Sequence, residues 1–326
     1  MHILVLGAAG MVGRKLVERI ARDGTVAGRT VDKATLHDIV EPAAPAGAGF
    51  AATCLASDFS EPGAAERLIE GRPEIVFHLA AIVSGEAEAD FDKGYRINLD
   101  GTYRLFEAIR AVGGGYAPRV VFTSSIAVFG APFPDAIGDE FLSAPLTSYG
   151  TQKAVGELLL SDYSRRGVFD GVGIRLPTIC VRPGKPNKAA SGFFSNIMRE
   201  PLNGEEAVLP VSDDVMHWHA SPRAAVGFLL HAAAIDGAKV GPRRNLTMPG
   251  VAATVGEQIA ALERLSPRAA GLIRREPDAT IQRIVAGWSR RFEATRAEAL
   301  GFKAESSFDE ILRIHVEDEL GGRIAA

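Results

Sequence analysis

The 326-residue chain lacks the features that mark secreted, membrane-embedded or nucleic-acid-binding proteins. It has two cysteines, Cys54 and Cys180, and both lie in apolar runs, so inert core thiols are favoured over a disulfide. A formal net charge of -4 does not attract polyanions, so nucleic acid is not an expected partner. The run VGFLLHAAAI is too short to cross a bilayer, and no basic segment precedes the first apolar run, so we expect no membrane association and a cytoplasmic location.

Short apolar runs of strand length are what the chain has in abundance. Apolar residues make up 47% of it and charged residues 23%, values that are ordinary for a globular protein with a large core. The runs HILVLG, ATLHDIV, FAATCLAS, EIVFHLAA and RVVFTSS alternate with amphipathic helical patterns such as VGRKLVERIARDG. This rhythm predicts an α/β fold with a doubly wound parallel sheet of the Rossmann type, continued by a long helix from Ser148 and a buried strand in GVGIRLPTICV.

The composition changes after Pro177, where proline, glycine and asparagine become frequent. We therefore expect a nucleotide-binding domain over residues 1–176 and a smaller substrate-binding lobe over residues 177–326. Residues from about 220 to 250 are expected to return to the first domain.

The stretch GAAGMVG places Gly7, Gly10 and Gly13 between the first strand and a helix. Glycine at these positions lets the backbone turn tightly and approach a pyrophosphate, whose charge then meets the free N–H groups of the helix N-terminus. The pattern predicts a dinucleotide site that also includes Met11 and Val12.

An acidic side chain should follow at the end of the second strand, where it would bind the adenosine ribose hydroxyls. Asp32 has the more usual distance from the glycines, but Asp38 is preceded by ATL, which can be a buried strand, so Asp38 is the predicted residue. A carboxylate there would repel the 2′-phosphate of NADP, so NAD is the expected cofactor, with Arg14 and Arg29 as arginines that could accept that phosphate. Asp58, after the third strand, is either an adenine contact or a helix N-cap.

The stretch SYGTQK places Tyr149 and Lys153 four residues apart on one face of the long helix. A tyrosine is a poor base at its ordinary pKa of about 10, and an adjacent ammonium would lower that pKa by stabilising the phenolate. Alone, the pair is more typical of a solvated helix face, but its surroundings favour general-base catalysis. FTSSIAVFG ends the fifth strand at the sheet edge where ligands bind, and strand alternation leaves one of Ser124 and Ser125 facing the substrate.

In order, the motifs GAAGMVG, HLAA, INLDGT, SSIAVFG and YGTQK resemble those of the extended short-chain dehydrogenases/reductases, the NAD-dependent epimerase/dehydratase family, up to about residue 235. The resemblance implies Ser125 as the catalytic serine and Tyr149 as the base. It implies Lys153 as the residue that lowers the tyrosine pKa and holds the nicotinamide ribose.

The same resemblance implies further contacts and an assembly. It places four residues against the cofactor: Ala80, Ala81, Asn98 and Pro177. It also implies a homodimer, formed through helices around residues 98–113 and 149–166.

In one stretch the chain departs from the family pattern, because the usual RDFxHVDD is replaced by VMHWHASPR and lacks an arginine that many nucleotide-sugar enzymes use. His217 and His219 would share a strand face, but no third ligand is evident, so packing or pocket lining is favoured and no metal is predicted. More narrowly, GAAGMVGRKL, RLPTICVRPGKPNKAASGFFSNIMREPLNG and ALGFKAESSFDEILRIHVEDEL resemble the D-erythronate dehydrogenases. Those enzymes oxidise the 2-hydroxyl of a four-carbon sugar acid with NAD.

A sugar-acid substrate would need a cation for its carboxylate, and a bidentate arginine is the best partner. The candidates are Arg182, then Lys185 and Lys188, with Thr178 and Ser191 as hydrogen-bonding companions; a solvated basic loop is the competing interpretation. Two other functions stay open. A nucleotide-sugar 4-epimerase or dehydratase would keep NAD tightly bound and need a nucleotide pocket, and a nucleotide-sensing regulator would not need the serine, tyrosine and lysine set.

Overall fold

A computed structural model describes residues 1–184 and 191–325 of the chain. The strands are β1 (His2–Leu6), β2 (Thr25–Val26), β3 (Arg29–Thr30), β4 (Lys33–Asp38), β5 (Ala51–Ala56), β6 (Ile75–His78), β7 (Arg119–Ser125), β8 (Asp170–Leu176), β9 (Thr178–Ile179), β10 (Ala207–Leu209), β11 (Met216–Ala220), β12 (Asn245–Thr247), β13 (Val251–Thr254) and β14 (Ile273–Arg275).

The α-helices are α1 (Met11–Asp23), α2 (Ala64–Ile69), α3 (Ser84–Ala89), α4 (Phe91–Gly94), α5 (Gly101–Val112), α6 (Ser148–Arg165), α7 (Gly192–Leu202), α8 (Pro222–Ala234), α9 (Gly237–Val240), α10 (Val255–Leu265), α11 (Pro267–Ala270), α12 (Ala279–Ala286), α13 (Thr295–Ala299) and α14 (Phe308–Glu319). A π-helical segment (Tyr95–Asp100) leads into α5, and a 3₁₀ turn (Ile126–Val128) follows β7. No helix in the described part of the chain is both long and apolar enough to span a membrane.

The main sheet has seven strands in the order β12-β8-β7-β6-β1-β4-β5, and every neighbouring pair is parallel. The predicted doubly wound α/β sheet is therefore confirmed. The chain winds outward from β1 through β4 to β5, and then returns to the other side of β1 to continue through β6, β7 and β8. The order reverses between β1 and β6, which is where such sheets open a crevice for ligands at the carboxyl ends of their strands.

Helices cover both faces of this sheet. Along β1, Ile3 and Val5 join one buried cluster, whereas Leu4 and Leu6 join another, as strand alternation requires. Helices α1 and α8 pack on the first face, and α2, α5 and α6 on the second. Because both faces are buried, the strands are continuous apolar runs, which is why they were recognisable in the sequence.

The later part of the chain builds a separate buried cluster, in which α7, α10 and α14 pack around β10 and β14. The stretch GVGIRLPTICV does supply a buried strand of the main sheet, β8, but that strand is shorter than the apolar run. The chain breaks at Pro177 into β8 of the main sheet and β9 of a three-stranded sheet with β11 and β13. Proline has no N–H to donate to a ladder, so the strand changes partners there. The helix α8 and the strand β12 pack with the main sheet, as do Ala297 and Phe302.

Candidate active site

A cavity of about 540 Å³ opens at the carboxyl ends of β1, β6 and β7 and reaches the later part of the chain. Its walls contain many of the residues singled out in the sequence: Gly7, Gly10, Met11, Val12, Gly13, Ala81, Ser125, Tyr149, Lys153, Pro177, Thr178, Arg182 and Ser191. The first five come from the glycine loop and the last three from the segment after β8. The fold thus brings the predicted nucleotide end and the predicted substrate end into one continuous space.

The glycine loop has no room for side chains. Gly7 has a φ of +87°, and a Cβ on it would lie 2.8 Å from the backbone nitrogen of Ala80. A Cβ on Gly13 would lie 2.0 Å from the carbonyl oxygen of Gly7. Gly10 is the N-cap of α1 and provides no side-chain acceptor, so the first N–H groups of the helix stay available to an external anion. This cradle fits the pyrophosphate of a dinucleotide.

Asp38 lies, like the glycine loop, at the carboxyl ends of the sheet strands. It is the last residue of β4, and its carboxylate accepts hydrogen bonds from the backbone N–H groups of Ala9 at 2.9 Å and Ile39 at 2.7 Å. Asp32 lies at the other end of β4, just before the strand begins, and forms an ion pair with the amino terminus of Met1. The position of Asp38, next to the loop that would hold the phosphates, suits a contact with the adenosine ribose.

The two arginines considered as 2′-phosphate ligands lie in different surroundings. Arg29 forms an ion pair with Glu74, which accepts a hydrogen bond from the backbone N–H of His2 at the opposite edge of the sheet from Asp38. Arg14 is exposed on the first turn of α1. Arg29 therefore lies at the other end of the strands from the glycine loop, whereas Arg14 lies on the helical turn that follows this loop.

Three other predicted cofactor contacts lie beside the cavity and do not line it. Asp58 accepts a hydrogen bond from Arg96 at 2.6 Å, and it is not the N-cap of α2, which is Gly63. The buried Asn98 accepts from the backbone N–H of Ile82 at 2.9 Å and donates to Gln152 at 2.8 Å. Its amide thus holds the segment after β6 in place. The third of these contacts is Ala80, whose backbone packs against the glycine loop.

The structure separates the two serines that the sequence left open. The hydroxyl of Ser124 is buried and donates to the Oε1 atom of Glu157 at 2.5 Å. Both serines border the cavity, and Ser125 is the one hydrogen-bonded with Tyr149; its Oγ also accepts from the backbone N–H of Ala127 at 3.1 Å. Strand alternation along β7 therefore leaves Ser125 as the serine that can meet a substrate.

The expectation of a lowered pKa for Tyr149 is wrong for the protein alone. Burial raises the pKa of Tyr149 to about 12, because a phenolate is costly in the cavity wall. A hydrogen bond with Ser125 and the positive charge of Arg182 act in the opposite direction and favour the phenolate. The pKa of Tyr149 therefore depends in part on Arg182, a cation from the later part of the chain.

Lys153 is buried at the centre of the site. Its Nζ donates to the carbonyl oxygen of Thr123 at 2.8 Å and lies 5.8 Å from the centroid of the Tyr149 ring. Burial lowers the pKa of Lys153 to about 7, against the charge of Glu157, which favours the ammonium. Glu157 in turn forms a buried ion pair with Arg175 at 2.6 Å. Glu157 was missed from the sequence, although its position four residues after Lys153 puts both on one helix face.

Arg182 is the cation that the structure brings to the cavity. Its Nε donates to the carbonyl oxygen of Ile179 at 3.0 Å and its Nη2 to the hydroxyl of Ser191 at 3.1 Å. Burial lowers the pKa of Arg182. Among the described residues no carboxylate lies within ion-pair distance of it, whereas the neighbouring Arg199 is paired with Glu200. Two other predicted cations, at positions 185 and 188, lie outside the described residues.

The histidines of VMHWHASPR lie beneath the same wall. His217 is buried and lines the cavity, with Nε2 at 2.8 Å from the Oγ1 of Thr178 and Nδ1 at 2.9 Å from the carbonyl oxygen of Ser289. His219 is also buried, 3.0 Å from the side-chain nitrogen of Gln258. Within residues 1–184 and 191–325 there is no group of three or more histidines, cysteines, aspartates or glutamates arranged to hold a metal ion. Ser289 had no local sequence signal, because it joins the site only through the tertiary fold.

The fold and this cavity define a Rossmann-type α/β protein in which a nucleotide cradle adjoins a serine, a tyrosine and a lysine. The model of the NAD dependent epimerase/dehydratase family matches residues 3–220. The chain belongs to this family.

Comparison with known proteins finds relatives along the whole chain. A D-erythronate dehydrogenase from Cupriavidus necator is 45% identical over 98% of both chains. One from Haemophilus influenzae is 39% identical over 98% of this chain and 100% of its own. A solved structure described as a nucleoside-diphosphate-sugar epimerase from Agrobacterium tumefaciens is 67% identical, covers 99% of this chain and 95% of its own, and superposes with a TM-score of 0.97.

Proposed function

We propose that this protein oxidises the 2-hydroxyl of a small sugar acid with NAD, and that D-erythronate is the substrate and 2-dehydro-D-erythronate the product. The observation that carries the proposal is the position of Arg182. It lies close enough to Tyr149 for its charge to favour the phenolate, and both line one cavity. A hydroxy acid presents its carboxylate next to its reacting hydroxyl, so a cation beside a proton acceptor suits this class of substrate. The full-length likeness to two D-erythronate dehydrogenases supports the choice of acid.

In this proposal Arg182 binds the substrate carboxylate with Ser191 as its hydrogen-bonding companion, and Thr178 contacts another part of the substrate. The Oγ of Ser125 orients the substrate hydroxyl, and the Oη of Tyr149 takes its proton as the carbon gives up a hydride. The ammonium of Lys153 stabilises the charge that develops on the tyrosine. NAD, when bound, supplies the acceptor for the hydride.

Most of the residues that would hold NAD line the cavity, and the others lie beside it. The cradle fits its pyrophosphate, and the carboxylate of Asp38 would bind the ribose hydroxyls and oppose the 2′-phosphate of NADP. The other proposed contacts are Gly7, Gly10, Met11, Val12, Gly13, Asp58, Ala80, Ala81, Asn98, Tyr149, Lys153 and Pro177.

A second candidate is a nucleotide-sugar epimerase, which the description of the Agrobacterium tumefaciens structure favours. Such an enzyme oxidises and then re-reduces its sugar, so it accumulates no NADH. The missing family arginine in VMHWHASPR weighs against a nucleotide sugar.

A homodimer in the cytoplasm stays part of the proposal. Two apolar side chains on the helices implied for dimerisation are exposed: Tyr103 of α5 at 46% and Leu158 of α6 at 72%. Exposed apolar side chains on neighbouring helices suit an interface with a second copy.

The experiment is to offer the purified protein NAD with four-carbon sugar acids and, separately, with UDP-hexoses, and to follow NADH by absorbance. NADH accumulation with D-erythronate and silence with UDP-hexoses are the expected results. Sugar interconversion without net NADH would overturn the proposal in favour of the epimerase. Tyr149→Phe is the matched variant, and it should abolish turnover while NAD binding is retained.

A further inference from the structure

His217 has no role in the reaction as described above, and its hydrogen-bond partner Thr178 enters it only as a substrate contact. His217 replaces part of the family's usual motif, and it lines the cavity beside Thr178. Its ring packs against two aromatic groups, Phe194, which is parallel to it at 5.4 Å and 5°, and Trp288 at 5.2 Å. This packing restricts rotation of the imidazole, so each ring nitrogen keeps its own partner.

The partner of Nδ1 determines where the proton of His217 lies. Nδ1 is 2.9 Å from the carbonyl oxygen of Ser289, which can only accept a hydrogen bond. Burial lowers the pKa of His217 to about 4, and the charge of Arg182 acts in the same direction, so at neutral pH the ring carries one proton. That proton is on Nδ1, because the contact with Ser289 requires a donor. Nε2 is therefore a hydrogen-bond acceptor.

The partner of Nε2 is then determined as well. Thr178 Oγ1 lies 2.8 Å from Nε2, so its hydroxyl must donate to the ring. A hydroxyl has one proton and two lone pairs. With its proton used by His217, Thr178 presents only acceptor capacity to the cavity.

We propose that His217 is a positioning residue that makes Thr178 an obligate hydrogen-bond acceptor, and that Thr178 thereby selects substrates with a second hydroxyl beyond the one that is oxidised. The inference rests on the proposed oxidation of a sugar acid, whose chain carries such hydroxyls. A hydroxyl oxygen that can only accept hydrogen bonds favours a substrate with a hydroxyl donor at that place. A hydrogen, a fluorine or an ether oxygen there is disfavoured, because the Thr178 oxygen would then be left unpaired.

The first experiment compares kcat/KM for D-erythronate with its 3-deoxy and 4-deoxy analogues and the corresponding deoxyfluoro analogues. The wild type should prefer D-erythronate over one deoxy analogue roughly 10- to 100-fold. Thr178→Ser keeps the acceptor and should keep this preference, whereas Thr178→Val should reduce it to within about threefold while the deoxy analogue is still turned over. A Thr178→Val enzyme with the wild-type preference would overturn the proposal.

His217→Phe tests the positioning role, because it keeps an aromatic ring in the stack and removes the acceptor. The freed hydroxyl proton of Thr178 can then point into the cavity. The deoxyfluoro analogue, which accepts and does not donate, should become a better substrate than the deoxy analogue, whereas in the wild type it is no better. If His217 had a purely structural role, the substitution would lower kcat/KM equally for all substrates and leave their order unchanged. That result would overturn the assignment.

A second experiment is independent of turnover. In protein with ¹⁵N-labelled histidine, the ring resonances that disappear in His217→Phe should show the neutral Nδ1–H tautomer at pH 7, and Thr178→Val should move the Nε2 resonance. An Nε2–H tautomer or a charged ring would overturn the inference. A wild type that is silent with D-erythronate would overturn the proposed function instead, and the ring spectrum would then still decide the polarity of Thr178.

Discussion

Replacing Arg182 by glutamine should remove the charge that we assign to the substrate carboxylate while leaving a shorter, uncharged polar side chain. In the protein the guanidinium donates to one carbonyl and one hydroxyl, through Nε and Nη2. Its other N–H groups have no partner among the described residues, and we propose that they bind the carboxylate. Hydrogen bonds to charged groups contribute about 1.5–3 kcal/mol, which corresponds to a loss in kcat/KM of roughly 10- to 150-fold.

A matched substrate is needed because Arg182 acts on more than the carboxylate. Its charge also favours the phenolate of Tyr149, so Arg182→Gln should slow proton transfer with any substrate. D-Erythronamide keeps every hydroxyl of D-erythronate and lacks the charge. The slower proton transfer is common to both compounds and cancels in the ratio of their kcat/KM values.

The assay is initial-rate NADH formation with the acid and the amide. The wild type should prefer the acid by roughly 10- to 150-fold, and Arg182→Gln should show a ratio near one. Arg182→Lys keeps a positive charge and should retain part of the preference. If Arg182→Gln lowered acid and amide equally and the ratio stayed at the wild-type value, the carboxylate would be bound elsewhere and the reasoning would be refuted.

Three further predictions concern the base, the cofactor and the assembly. Glu157→Gln removes the charge that favours the Lys153 ammonium, so the pKa of that lysine should fall. The alkaline limb of the pH profile of kcat/KM should then move to lower pH, and an unmoved limb would show that the protonation of Lys153 does not control the rate. Asp38→Asn removes the carboxylate that opposes a 2′-phosphate, so the ratio of kcat/KM for NAD to that for NADP should fall, and a constant ratio would contradict the assignment. Leu158→Glu should convert a dimer to a monomer in light scattering, whereas Leu142→Glu, at a position 79% exposed outside the implied dimer helices, should not; two monomeric variants would contradict the interface.

The part of the fold that contains the glycine loop could be predicted from the sequence because its signals are local. Buried parallel strands are apolar on both faces, so they stand out as runs, and the glycine loop follows the first of them directly. The choice of Asp38 over Asp32 also depended on one local feature, the apolar ATL before it. The structure places these two aspartates at opposite ends of β4.

The cavity wall formed by the later part of the chain was harder to predict because its contacts join distant segments. Thr178 meets His217 across 39 residues, and His217 meets Ser289 across 72. No periodicity or spacing predicts such pairs. The strand break at Pro177, which separates β8 from β9 and turns Thr178 toward its partner strand, was likewise hidden inside one apolar run.

The pKa of Tyr149 shows why a motif alone misjudges the electrostatics of a site. Tyrosine and lysine four residues apart suggest a cation that lowers the tyrosine pKa, but the same fold buries both groups, and burial opposes both charged forms. Arg182 then acts on the tyrosine from a segment that the motif does not include. A bound carboxylate would offset that charge, so during the reaction the phenolate would depend more on Lys153. We therefore propose that the protonation of the lysine limits the base, and that Glu157, which favours its ammonium, takes part in the proton chemistry of the site.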